Sequence, residues 1–209
     1  MKATPSAFLA KACTAFSGFD QVATGTLVDV VLVVKALQEQ SATAAILLFD
    51  DSNGEVIDVD LRGSAADIMS RLFERARDES AGKRPARRIT SNHPSQGPGR
   101  PRLGVVAREV TLLPRHWEWL ASQSGGASAA LRQLVEQARL ADHGKTSQRH
   151  ARECAYRFLS AVAGDFAGFE EATRALFAGS WDRFAEETAE WPEGVRIYAQ
   201  RLANHTTGP

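Results

Sequence analysis

Residues 97–126, GPGRPRLGVVAREVTLLPRHWEWLASQSGG, place a Gly-, Pro- and Arg-rich tract directly before a short apolar segment and a tryptophan-containing helix pattern. Residues 108–113 alternate polar and apolar side chains, which predicts a strand with Val110 and Leu112 on its buried face. Pro114 suits the first position of a helix, because its missing N–H would have no partner there. The stretch therefore predicts one isolated strand that leads into a helix.

Two amphipathic helices are predicted after this strand. Trp117, Leu120 and Ala121 fall on one face of the first helix, and we expect this face to be buried against the strand. Gly125-Gly126 is expected to end the first helix, and Ser128 to cap the second. The apolar stripe of the second helix consists of Leu131, Leu134, Val135 and Ala138.

A strand without neighbours leaves backbone groups unpaired at both edges, and antiparallel pairing with a second copy of the chain satisfies one edge. Strand, Pro, helix, Gly turn and capped helix over residues 105–140 resemble the ribbon-helix-helix DNA-binding fold of the Arc and MetJ class. The resemblance implies a two-stranded ribbon in the major groove, with Ala107, Glu109 and Thr111 facing the bases. A register shifted by one residue places Arg108 there instead and exposes the apolar face.

The segment from Lys83 to Arg108 is basic, although the whole chain has no net charge. It holds seven basic and no acidic residues, so the remaining chain carries 18 basic and 25 acidic side chains. Residues 98–102 resemble minor-groove hooks, in which arginines flanked by Gly and Pro enter a narrow groove; a solvated linker explains the charge equally well. The predicted DNA-binding residues are Arg84, Arg87, Arg88, Arg100, Arg102, Arg108, Thr111 and Ser128.

The first 77 residues predict a small ββαββα domain. The valine-rich third element has the length and polar end of a helix, although its five valines also favour a strand. An Asn-Gly pair predicts a tight hairpin turn, and a Ser and an Asp three residues apart predict a capped helix. The elements are strands at 13–18 and 21–25, a helix at 27–39, the hairpin AAILLFDD and EVIDVDL around Asn53-Gly54, and a helix capped by Ser64 and Asp67.

The rest of the chain divides into a linker and two helical regions. Residues 78–103 predict a basic flexible linker, because Gly, Pro, Ser, Asn and Arg dominate. Residues 104–140 hold the strand-helix-helix module, and 141–148 are a shorter break. Residues 149–204 predict a C-terminal helical bundle. The predicted fold class is therefore α+β, with an N-terminal ββαββα domain and a central ribbon-helix-helix-like module.

Nearly the whole chain also resembles an uncharacterised bacterial domain-of-unknown-function family. The likeness lies in residues 99–139, in AYRFLSAVAGDF and FEEATRALFAG after them, and in ILLFDD before them. The resemblance implies a small bacterial cytoplasmic protein and no particular activity. Cys13 and Cys154 fit a reducing compartment, since two distant cysteines make neither a disulfide framework nor a metal spacing, and both are expected to be buried.

No sequence pattern indicates a catalytic or cofactor site. The motif His116-Trp117-Glu118 lacks the Cys-x-x-Cys of zinc deaminases, and no Gly-rich phosphate loop occurs. We therefore expect no enzyme activity, cofactor, metal or membrane span. Four carboxylates near the hairpin lack the spacing of a calcium loop and are expected to be solvated turn residues: Asp50, Asp51, Asp58 and Asp60.

These patterns favour a dimeric DNA-binding protein, either a transcriptional regulator or an antitoxin-like repressor. Its expected partners are double-stranded DNA, a second copy of the chain and a further protein. The alternative is an interaction scaffold in which the same module only dimerises, and a third is an enzyme that uses the N-terminal domain. A positive stripe beside the paired strands favours DNA, whereas an acidic stripe through Glu109 and Glu118 favours the scaffold.

Overall fold

The computed structural model describes residues 7–40, 45–82 and 108–204 and shows a mixed α+β protein. Near the N-terminus lies a three-stranded antiparallel sheet in the order β2-β1-β3, with β1 at Ala12–Ser17, β2 at Asp20–Thr26 and β3 at Ile46–Asp50. The described residues also form eight helices: α1 Leu27–Gln40, α2 Ala65–Gly82, α3 Pro114–Ala121, α4 Gly126–Asp142, α5 Lys145–Val162, α6 Phe169–Ala178, α7 Trp181–Glu187 and α8 Glu193–Asn204.

The chain forms two compact units that are not consecutive in sequence. The first comprises Met1–Arg84 together with Gly144–Pro209, and the second comprises Pro85–His143. The first unit contains the sheet with α1, α2 and α5 to α8, and the second contains α3 and α4. The N-terminal strands and the C-terminal helices, which the sequence predicts as separate regions, therefore belong to one unit.

Helices cover both faces of the sheet in the first unit. Cys13 and Ala15 of β1 belong to the apolar cluster that includes the buried residues of α1 and α2. Phe16, on the opposite face, lies 5.2 Å from the rings of both Phe158 and Tyr198, and so packs against α5 and α8. The period-two alternation of a strand thus divides β1 between two cores.

The predicted second strand of the hairpin, residues 55–61, is wrong apart from one isolated bridge to β3. Its start makes two backbone hydrogen bonds with β3, since the N–H of Asp50 donates to the carbonyl of Glu55 over 2.9 Å and the N–H of Ile57 donates to the carbonyl of Leu48 over 2.7 Å. Beyond this point, side chains of α2 bind the carbonyls of the segment. Arg75 Nη1 donates to the carbonyl of Asp58 over 2.9 Å, and Arg71 Nη2 donates to the carbonyl of Asp60 over 2.9 Å. Arginines of α2 therefore hold the later part of this segment, which forms no fourth strand.

The capping pattern predicted for α2 is confirmed. The backbone N–H of Ser64 donates to Asp67 Oδ2 over 2.8 Å, and the N–H of Asp67 donates back to Ser64 Oγ over 3.3 Å. The helix continues further than predicted, so residues 78–82 are helical rather than the start of a linker. An ion pair between Arg75 and Glu79, one turn apart, lies on this last part of the helix.

The second unit begins its first helix at Pro114, as predicted, but the start of its second helix differs. Gly125, with φ of 87°, precedes α4, and Gly126 is its first residue. The left-handed backbone at Gly125 turns the chain into the helix three residues before Ser128, so the predicted Ser128 cap is wrong. Ser128 lies in the first turn instead, where its carbonyl accepts a 3.0 Å hydrogen bond from Arg132.

The break predicted at 141–148 is much shorter in the structure. Only His143 and Gly144 interrupt the helices, and both have left-handed backbones, with φ of 46° and 77°. All regular elements beyond this break are helices, as predicted, among the residues described up to 204. The predicted stop of α6 at Gly179, with φ of 73°, is confirmed.

Candidate functional site

The segment that precedes α3 forms no strand within the chain. Residues 108–113 join no ladder with any other described residue, so the pairing predicted for this strand with a second copy stays a prediction. The backbone of Leu113 is nevertheless extended, with φ of −67° and ψ of 150°. A strand needs a hydrogen-bonded neighbour, and the described residues of one chain offer none here.

Helices α3 and α4 leave most of their large apolar side chains exposed. Leu120 and Ala130 are the buried hydrophobic residues in the described part of this unit. Trp117, which the sequence predicts to be buried, is 41% exposed. The prediction fails because helix periodicity places a residue on an apolar face without supplying anything to cover it. The exposed set is Val110, Leu113, Trp117, Trp119, Leu134, Val135 and Leu140.

An apolar groove lies between the two helices of this unit. Its volume is about 270 Å³, and every lining residue except a histidine is apolar. Such a concave apolar surface is typical of a site that receives side chains of a partner. The lining residues are Leu112, His116, Trp119, Leu120, Leu131 and Leu134.

Three of the predicted DNA-binding residues can be placed. Arg108 and Thr111 share the segment before α3, whereas Ser128 lies on α4, and all three side chains are exposed. Arg108 and Thr111 lie near each other only because they are three residues apart in the sequence. The other predicted DNA-binding residues lie outside the described residues: Arg84, Arg87, Arg88, Arg100 and Arg102.

The charges over residues 108–142 are balanced. The basic residues are Arg108, Arg115, Arg132 and Arg139, and the acidic residues are Glu109, Glu118, Glu136 and Asp142. One pair is joined directly, since Arg139 Nη2 lies 2.8 Å from Glu136 Oε1. The hydrogen bond from Arg139 lowers the pKa of Glu136. A positive surface on this unit therefore depends on the basic segment that precedes it.

A polar centre lies in the first unit, at the end of β3. Asp51 Oδ1 accepts hydrogen bonds from the hydroxyls of Thr14 and Tyr198, over 2.8 and 2.7 Å. Arg201 Nη2 lies 3.2 Å from the other carboxylate oxygen and donates to Thr14 Oγ1 over 2.7 Å. Burial and the nearby Asp51 carboxylate raise the pKa of Tyr198 far above its ordinary value, so this phenol is a permanent donor.

The neighbouring carboxylate, Asp50, is only 3% exposed, so the prediction of a solvated turn residue is wrong for it. It pairs with Lys11 Nζ over 3.1 Å and accepts from both the backbone N–H and the hydroxyl of Ser52. Burial by itself raises the pKa of Asp50, but the hydrogen bonds from Ser52 and Lys11 outweigh that effect and lower it. Asp50 is therefore a buried, fully partnered carboxylate.

One face of α5 contacts the turn after β3. His150 Nε2 lies 3.1 Å from the carbonyl oxygen of Ser52, and Cys154 Sγ lies 3.4 Å from the same oxygen. Arg157 Nη1 donates to the carbonyl of Asn53 over 2.8 Å. Spacings of four and three residues place these side chains on one helical face, and together they dock the turn onto α5. Sequence reasoning missed this contact, and the run DDSNG after an apolar strand was its only local signal.

Both cysteines are buried and free of disulfide bonds, as predicted. Burial raises the pKa of the Cys13 thiol to about 12, which suits a packing residue rather than a nucleophile. Among the described residues, no three His, Cys, Asp or Glu side chains converge to hold a metal ion. The hydrogen bonds and ion pairs of this polar centre hold distant segments of the first unit together.

None of the helices in the described part of the chain has the length and apolar character needed to cross a membrane.

Comparison with known proteins gives one match. No curated protein and no solved structure matches the sequence. A family model described as "Uncharacterized protein conserved in bacteria (DUF2239)" matches residues 12–203, and the chain therefore belongs to this bacterial family.

Proposed function

We propose that this protein is a dimeric DNA-binding protein that acts as a transcriptional regulator or antitoxin-like repressor. The observation that carries the proposal is the exposed apolar surface of α3 and α4 directly after a basic segment. A pair of helices with two buried hydrophobic residues, Leu120 and Ala130, does not form a stable core alone. Covering this surface with a second copy supplies the missing core.

The extended segment before α3 supports the same assembly. Residues 108–113 have no strand partner among the described residues. Antiparallel pairing between this segment and the same segment of another copy gives the backbone groups of both segments hydrogen-bond partners. Residues 108–142 carry equal numbers of basic and acidic side chains, so two such units do not repel each other through net charge. A closed two-fold dimer is the simplest arrangement that meets these conditions.

The dimer doubles the positive charge available for DNA. Each copy contributes seven basic residues between Lys83 and Arg108, with no acidic residue among them. If about three or four of these neutralise phosphates in each subunit, log affinity falls with log salt at a slope of about −5 to −7. Thr111 is the residue proposed to contact bases, because phosphate contacts position a protein whereas base contacts specify sequence.

Gel-shift titrations of duplex DNA at several salt concentrations test the proposal. The double variant Arg100→Ala, Arg102→Ala should bind more weakly and with a flatter salt slope, most clearly on A·T-rich duplexes. The matched control is Arg149→Ala, Arg183→Ala, which removes two exposed arginines from the first unit and should leave the slope unchanged. Absence of any retarded duplex at low salt would refute DNA binding.

A scaffold is the second candidate, and the charge balance over residues 108–142 favours it. The four acidic side chains there include Glu109, which lies beside the proposed base contact at Thr111. A carboxylate near phosphates is repulsive, unless it accepts a hydrogen bond from a cytosine amino group. A stable dimer that retards no duplex would support the scaffold over the DNA-binding protein.

A further inference from the structure

Three donor atoms of different elements meet where α5 contacts the turn after β3. Cys154 Sγ lies 3.5 Å from His150 Nε2 and 3.4 Å from the carbonyl oxygen of Ser52. His150 Nε2 lies 3.1 Å from the same oxygen, which closes a triangle of sulfur, nitrogen and oxygen. The two side chains are four residues apart and so project from one face of α5, while the turn supplies the third atom.

The size of this triangle matches one face of a tetrahedral zinc site. Zinc bonds are about 2.3 Å to sulfur, about 2.0–2.1 Å to nitrogen and about 2.0–2.2 Å to oxygen, so tetrahedral donors lie about 3.4–3.6 Å apart. The observed separations of 3.5, 3.4 and 3.1 Å need only small displacements to reach this geometry. We propose that Cys154, His150 and the Ser52 carbonyl bind a divalent cation of the zinc class, with solvent as the fourth ligand.

The surroundings of the triangle suit such an ion. Cys154 is buried, whereas His150 is half-exposed, so a fourth ligand can reach the metal from the solvent side. Burial raises the pKa of the Cys154 thiol, and the nearby Arg157 charge acts in the opposite direction. Without metal, the Cys154 thiol lies within hydrogen-bond distance of the Ser52 carbonyl, at 3.4 Å.

Metal binding replaces this hydrogen-bonded state in a balanced exchange. The thiol of Cys154 loses its proton to solvent, and the thiolate and the neutral imidazole of His150 each give a lone pair to the ion. The Ser52 carbonyl exchanges its hydrogen bonds for a metal bond. The thiol of Cys154 therefore releases one proton for each divalent ion bound.

Titration of the reduced, metal-free, full-length protein with Co²⁺ tests the site. We expect a thiolate-to-cobalt charge-transfer band, visible bands of tetrahedral cobalt, release of one proton per ion, and loss of all bands when Zn²⁺ is added. Cys154→Ser should abolish the charge-transfer band. Cys13→Ser is the matched control, because Cys13 is also a buried free cysteine of the first unit, and it should keep the band. His150→Ala should weaken Co²⁺ binding at least tenfold.

Three results would overturn the site. They are the absence of a thiolate band in the wild-type protein at millimolar Co²⁺, a band that persists in Cys154→Ser, and a band that disappears in a folded Cys13→Ser variant. Each would contradict the binding of the ion by the Cys154 thiolate. If melting without metal shows that Cys154→Ser does not fold, His150→Ala decides: unchanged Co²⁺ affinity in that variant refutes the site, and weakened affinity supports it.

Discussion

The phenol of Tyr198 donates a 2.7 Å hydrogen bond to Oδ1 of Asp51, 147 residues earlier in the chain. The bond joins α8 to the end of β3, and Thr14 and Arg201 complete the partners of the same carboxylate. Tyr198 itself is fully buried among Phe16, Phe49 and Phe158. One side chain therefore connects the apolar core of the first unit to its main polar contact between distant segments.

Replacement of this tyrosine tests the polar contact alone, because Tyr198→Phe keeps the ring in the core. We expect the free energy of unfolding to fall by about 1–3 kcal/mol, since the partly buried carboxylate of Asp51 loses a donor. Urea denaturation measures the change. The matched control is Tyr156→Phe, at a position 40% exposed on α5, which should stay within about 0.5 kcal/mol of the wild type. Equal effects of the two variants would contradict the role assigned to Tyr198.

A pair of glycine variants tests how tightly the turn after β3 packs on α5. Both Gly54 and Gly18 have left-handed backbones, with φ of 73° and 60°, so alanine costs about 1–2 kcal/mol at either position. A Cβ at Gly54 would lie 2.0 Å from the carbonyl oxygen of Cys154, whereas one at Gly18 would meet nothing within 4 Å. Gly54→Ala should therefore destabilise the protein by at least about 2 kcal/mol more than Gly18→Ala. Equal denaturation midpoints would show that the contact is loose.

The buried carboxylate of Asp50 should make stability depend on pH. Its pKa is lowered from an ordinary value of 3.8, so its contribution is present above that value and is lost as pH falls through the folded-state pKa. Asp50→Asn should thus be less stable than the wild type at pH 7, with a difference that shrinks below about pH 4. Asp58→Asn, at an exposed position in the same region, is the control. A difference that stays constant from pH 7 to the acid limit would exclude this role for Asp50.

Features that depend on neighbours in sequence were predictable. The strands β1 and β2, the helix α1, the Ser64–Asp67 cap and the stop at Gly179 all follow from local alternation, periodicity or backbone freedom. The strand predicted at 55–61 is reduced to one bridge at Val56. Arginines of α2 bind the carbonyls of Asp58 and Asp60, and strand propensity contains no information about such distant side chains.

The polar centre of the first unit was not predictable for a related reason. An Asp-Asp pair after a strand has the same local pattern whether water or a distant side chain satisfies it. Asp51 is partnered by Tyr198 and Arg201, 147 and 150 residues away, and only the tertiary fold brings them together. The exposed face of α3 and α4 is the reverse case. Its apolar pattern was visible in the sequence, but no described residue covers the exposed side chains of this face.

The groove of the second unit predicts how self-association can be disrupted. Leu134 lines the groove and is 42% exposed, so Leu134→Glu should place a charge where the second copy is proposed to pack. We expect the wild type to be a dimer by light scattering and Leu134→Glu to be a monomer. Ile197→Glu makes the same change at a position 55% exposed on α8 and should remain a dimer. A monomeric wild type at high micromolar concentration would refute the assembly, even if that monomer binds DNA.

A cysteine at position 110 tests the symmetry of the dimer. Antiparallel pairing about Val110 places the two copies of this residue directly opposite, with Cα atoms about 4.5–5.5 Å apart. That distance lies within the range of about 4.4–6.8 Å that a disulfide spans. Val110 is 52% exposed in the single chain, and both native cysteines are buried, so Val110→Cys should form a covalent dimer under mild oxidation. Ser124→Cys, in the exposed turn between α3 and α4, should stay monomeric on a non-reducing gel. Equal cross-linking of both variants, or of neither, would show that residues 108–113 do not pair about Val110.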